Sequence, residues 1–168
     1  MYSVGEHVVY GTHGVCCISE ITTMQFGLEN KEYYVLSPVS DPRSTIFVPV
    51  DNESLLSQMR HVLTKEEIDD MLSAIVPGSQ CWIASDSERK EYCQATLKSG
   101  DCRAILKMID MLYIHQVEMR EKKKHFHVTD ERFLREAEKL LHDEFSFVLG
   151  IPRTDVISYI GEKVEQSS

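Results

Sequence analysis

Two groups of side chains in this sequence are of types that ligate metals. Cys16 and Cys17 are adjacent, and His125 and His127 stand one residue apart in HFHVTD. Neighbouring positions on a strand face opposite ways, so adjacent cysteines cannot close on one ion without distortion. No CxxC accompanies them, and a free cysteine packs as a small hydrophobe. The two histidines lack a third ligand at a recognisable spacing, although His115 or His142 would be candidates to join them. No metal and no cofactor is therefore expected. An enzyme is not expected either, because P-loop, GxGxxG, GxSxG and HExxH patterns are missing. The many carboxylates fall on helix faces opposite apolar stripes, where solvation explains them.

What remains is chemistry of contact. REKKKHFH, Arg120 to His127, is the strongest basic run, with Lys122, Lys123 and Lys124 in succession. Two readings are open for it: a solvated helix end that offsets the helix dipole, or a phosphate-facing patch. A second cluster comprises Arg89, Lys90 and Lys98, followed by Arg103 and Lys107, and is partly offset by Glu88, Glu91 and Asp101. It lies beside PGSQCWIASD, residues 77–86, which carries Trp82, the one tryptophan of the chain. Cores usually claim so large an apolar side chain, yet its neighbours here are small or polar. Either the indole anchors this turn from below or it stands out to meet a partner.

The elements that position these residues change period near residue 52. Residues 1–50 read as four or five short antiparallel strands. EHVVYGTHGVCCISEI, EYYVLSPVS and STIFVPVDN are rich in β-branched and aromatic residues and separated by turn signals. Pro49 lacks an N–H and belongs at an edge or an end of the sheet. The expectation is an α+β protein: a small bent antiparallel sheet or SH3/Tudor-like half-barrel over 1–52, followed by an all-helical bundle over 53–168.

The helical half announces itself by caps. Thr64 with Glu67 and Ser85 with Glu88 have capping-box spacing, and Asp101 can cap a third helix. Thr129 is expected to begin a fourth, with Val128 and Phe133 as its hydrophobic staple. Pro77-Gly78, Gly100 and Gly150 are the stops. Stripes such as Ile68, Met71, Leu72 and Ile75, or Ile105, Met108, Ile109 and Leu112, face inward. Val156, Ile157, Ile160 and Val164 suggest a last short helix.

Composition limits the function classes. The 168 residues with 42% hydrophobic content can bury one sizeable core or two small ones. No apolar run approaches the roughly 18 residues that a membrane span needs, and the start has no signal-peptide pattern. Five cysteines form an odd set without a disulfide-scaffold look, which fits a soluble protein of the cytoplasm. A net charge of −9 argues against a surface that wraps nucleic acid as a whole, so DNA contact must be local.

VGEHVVYGTHGVCCISEI followed by EYYVLSPVS and IFVPVDN resembles the RNA polymerase interaction domain of the CarD/CdnL family of bacterial transcription regulators. The matching features are Val4-Gly5, Val8-Val9-Tyr10, His13-Gly14-Val15, Tyr34-Val35-Leu36 and Val48-Pro49-Val50 with Asn52. The likeness continues through the tryptophan-bearing turn, LKSGD at Leu97–Asp101, and a helix pair ending near Glu144-Phe145. The same domain occurs in the transcription-repair coupling factor, a larger helicase, whereas a stand-alone chain with a helical tail looks like CarD.

The resemblance implies a non-enzymatic regulator. Its first domain would dock on the RNA polymerase β subunit, and its helices would lean on promoter DNA at the upstream edge of the bubble, modulating open-complex stability. Trp82 matches the family's minor-groove wedge. Arg89, Lys90, Lys122, Lys123 and Lys124 are the candidate DNA contacts around it, and Met24, Phe47 and Pro49 are the candidate polymerase contacts. Met24 and Phe47 stand where some relatives carry basic residues, which implies a more apolar contact; Phe47 equally fits a core position. No sequence preference, membrane or small-molecule substrate is expected. The alternative is a protein–protein adaptor on RNA polymerase that never touches DNA.

Overall fold

The computed structural model describes residues 1–167, and the chain divides into two units between Leu63 and Thr64. The first is an antiparallel sheet of five strands: β1 (His7–Tyr10), β2 (Val15–Phe26), β3 (Glu29–Pro38), β4 (Ile46–Pro49) and β5 (Met59–His61). Their order across the sheet is β4-β3-β2-β1-β5, which leaves β4 at an edge as Pro49 requires. Val8, Cys16, Ile18, Leu36 and Val48 are sealed from solvent on one face.

β2 does not alternate strictly. Cys16 and Ile18 are core residues two apart, but the next apolar residue, Ile21, follows after three. The register shifts between Ile18 and Glu20, so that Ile18 pairs with Leu36 while Ile21 pairs with Tyr34. The extra residue is a β-bulge, and it restores Ile21 to the core face. Every later residue of β2 is reversed relative to an unbulged strand. Thr22 and Met24 consequently point away from the core.

The expected boundary after residue 52 is corrected to residue 63. Asn52 caps a single helical turn, α1 (Glu53–Leu56), by accepting a hydrogen bond from the Leu55 N–H at 3.1 Å. The turn reverses the chain, and β5 then pairs with β1 through Val8–His61, Val9–Arg60 and Tyr10–Met59. A three-residue strand with one apolar side chain carries no readable period; its partner strand creates it.

The second unit consists of α2 (Lys65–Ala74), α3 (Asp86–Ser99), α4 (Cys102–Glu121), α5 (Val128–Leu149) and α6 (Val156–Ser167). The local starts hold. Thr64 and Glu67 exchange both capping-box bonds, at 2.8 and 3.1 Å. Ser85 accepts from the Glu88 N–H, and Asp101 from Arg103 and Ala104. Ile68, Leu72, Met108, Leu112, Phe145 and Val156 fill the core. No described helix is long and apolar enough to cross a membrane.

Two local expectations fail. α5 begins at Val128, capped by the His127 ring nitrogen, which accepts from the Thr129 N–H at 3.2 Å. Val128 is therefore the first helical residue, 78% exposed, and no staple forms with the buried Phe133. In α6 Val156 is buried, but Ile157 points to solvent. A polar tie adds to the burial of Val156: the Tyr159 hydroxyl donates to Asp69 on α2, and Lys163 approaches the same carboxylate at 3.8 Å.

Candidate RNA polymerase and DNA interfaces

Met24, Phe47 and Pro49 share one face of the sheet, although they come from two strands and were singled out separately. Directly paired residues lie on the same face, and the core face is defined by Ile21–Tyr34–Val48. The opposite face carries the Met24–Lys31 pair, the row Thr22–Tyr33–Pro49 and the Val35–Phe47 pair. Phe47 is 48% exposed, which resolves its two readings in favour of the outer face. Tyr33 is the residue that the sequence reading missed. Its ring lies 5.9 Å from Phe26 and 6.5 Å from Phe47, joining them into one aromatic row. Alternation in EYYVLSPVS was the available signal, since Tyr34 and Leu36 in the core put Tyr33 outside.

The tryptophan site is built differently. Trp82 sits in the stretch between α2 and α3, which begins at Ile75, where the backbone turns extended (ψ 136°) two residues before Pro77. Gly78 turns the chain at φ +78°, where a side chain would be strained, and its N–H donates to Asp110 of α4 at 2.6 Å. The indole is half-buried. The His115 ring stacks on it with centroids 3.6 Å apart and planes within 10°. The Arg89 guanidinium carbon lies 4.4 Å from the indole centroid. An imidazole and a guanidinium this close to one ring would collide on a single face, so they occupy opposite faces. Neither reading of the tryptophan holds alone: the ring is held from both sides and still reaches solvent.

Arg89 is not the phosphate contact that the sequence suggested. It is only 4% exposed, and all three of its nitrogens are committed. Nε donates to Asp130 at 2.7 Å, Nη2 to Asp86 at 2.7 Å and Nη1 to the Ile83 carbonyl at 2.9 Å. Its charge is matched by two carboxylates, and its work is to fix the tryptophan turn against α5. The hydrogen bond and charge of Arg89 hold the Asp86 carboxyl below the usual aspartate range, with a smaller contribution from His127. Beside this cluster Cys93 is fully buried, and burial with the Asp130 charge pushes its thiol up to about 12. It is no nucleophile.

Lys90 is exposed on α3, and Lys122, Lys123 and Lys124 are exposed where α4 ends. Their backbone forms a Schellman motif, with Lys124 N–H donating to Met119 at 2.8 Å and Lys123 N–H to Arg120 at 3.1 Å. Lys123 holds the left-handed position, φ 55°, which usually belongs to glycine. The two readings of this run are therefore compatible, because the backbone closes the helix while the side chains remain in solvent. The turn is also next to Trp82: the Phe126 ring lies 6.2 Å from His115, and His127 acts on Asp86. His127 is a cap, and among the described residues no three His, Cys, Asp or Glu side chains gather as a metal site.

A five-stranded antiparallel sheet followed by a helical unit is the α+β architecture that the sequence led one to expect. Residues 2–63 match the family described as the CarD-like/TRCF RID domain, an RNA polymerase-interacting domain. The match ends where the first unit ends. Over nearly its whole length the chain is also similar to a Bacillus subtilis (strain 168) protein named "Putative transcription factor YdeB". The two are 23% identical over 160 residues, which is 95% of this chain and 99% of that one.

Proposed function

We propose that this protein is a non-enzymatic transcription regulator of the cytoplasm that binds the RNA polymerase β subunit and modulates promoter open-complex stability. The outer sheet face, with Met24, Tyr33, Phe47 and Pro49, is the polymerase-docking surface; its apolar character makes the contact less sensitive to salt than a charged one would be. The helical unit contacts the minor groove through Trp82, with Lys90, Lys122, Lys123 and Lys124 engaging phosphates without sequence preference. The observation that carries the reading is the clamped indole beside a basic turn. With both faces covered, Trp82 offers DNA its edge and enters as a wedge rather than as a stacking partner. A preformed wedge loses little side-chain freedom on binding, so more of the contact energy is left to favour opened DNA.

The test is Trp82→Ala in a reconstituted promoter system. Polymerase binding is expected to persist while open-complex lifetime falls by up to about tenfold, the equivalent of about 1.4 kcal/mol of differential binding. Unchanged lifetime would favour the adaptor reading. One observation supports that reading: the covered ring faces sit in a chain of net charge −9, which binds DNA poorly on its own.

A further inference from the structure

Away from the indole, the helical unit has a cleft of about 220 Å³ between α2, the segment that follows it and α4. Met71 and Leu106 are buried and form its floor with Ile75, while Val76, Arg103 and Lys107 stand at the rim. Arg103 and Lys107 are four residues apart on α4 and therefore project from one face, where two like charges repel. Among the described residues neither makes an ion pair. The next carboxylate along this face, Asp110, is committed to the Gly78 N–H. Arg103 and Lys107 thus stand as two cations at the rim of an apolar floor, with neither held in an ion pair among the described residues and Asp110 turned to the Gly78 N–H.

We infer that this cleft is a binding site for a small amphipathic anion. An apolar body would displace water from Met71, Ile75 and Leu106, and a carboxylate or phosphate monoester head would sit between Arg103 and Lys107. The head would relieve the repulsion of the cation pair and gain charge-assisted hydrogen bonds from the guanidinium fork. The inference goes beyond the regulatory role proposed above, and neither depends on the other.

Calorimetric titration of the full chain with octyl phosphate, octanoate, octanol and inorganic phosphate tests it. Octyl phosphate or octanoate is expected to bind at one site with a Kd below about 1 mM, and the tighter of the two identifies the head group. Octanol and inorganic phosphate, each lacking one half of the ligand, are expected to bind at least about tenfold more weakly. Arg103→Gln with Lys107→Gln should remove the preference for the anions over octanol. The inference is overturned if neither amphipathic anion binds, if octanol binds as tightly, or if the double variant retains the preference. The four-ligand comparison on the unaltered protein decides the matter even if the variant misfolds.

Discussion

The two units present their functional residues by opposite physical means. On the sheet, Met24, Tyr33, Phe47 and Pro49 are displayed by strand alternation, and the buried charged residues Arg89, Asp130 and Glu144 all belong to the other unit. In the helical unit, Trp82 is held by a buried cation whose nitrogens are all satisfied, two of them by carboxylates. A displayed face loses single side chains without disturbing its scaffold, whereas the clamp cannot lose a member without exposing buried charge. Binding and stability should therefore separate in the first unit and be coupled in the second.

The largest effect should come from breaking the clamp. Arg89→Ala leaves the Asp130 carboxylate buried without its partner and is expected to cost about 3–5 kcal/mol, read by urea unfolding. Trp82 emission should shift to the red in the folded variant as the indole loses its cover. A loss below about 1 kcal/mol would show that the clamp contributes little and would erase the contrast between the units.

Phe47→Ala sharpens the other side. Its stability should change by less than about 0.5 kcal/mol, as for an ordinary surface position. Affinity for the isolated β subunit should nevertheless fall by about tenfold or more if Phe47 is a central contact. Unaltered affinity would remove this face from the polymerase interface.

The smallest effect concerns the basic turn. Lys123→Gly relieves a left-handed backbone strain that outweighs the freedom glycine adds to the unfolded chain. It should stabilise the helical unit by about 0.5–1 kcal/mol. The same variant removes one cation, so DNA affinity should decline slightly as stability rises. Parallel changes would mean that the turn acts on DNA through its fold rather than its charge.

Much of the architecture could be read directly because the responsible interactions are local. A cap is satisfied within three residues, so Thr64, Ser85 and Asp101 disclosed their helices. The candidate sites were legible only as residue types. Arg89 is basic and lies near the tryptophan, which made it a phosphate contact on paper; Asp130, 41 residues away, made it a structural cation. His115 attracted attention as a possible ligand and proved to be the indole's stacking partner. His127 displaced Thr129 as a cap through a ring nitrogen, which the usual oxygen-bearing cap types do not suggest.

The chain alone determined its division into strands and helices, the edge position of Pro49 and the presence of one unusual tryptophan, because periodicity, a missing N–H and side-chain size are properties of near neighbours. Tertiary structure decided which way Met24 points, what Arg89 does and whether β5 exists. Each of these depends on a bulge register, a buried carboxylate or a partner strand far along the chain, and such long-range pairings leave no mark in local spacing.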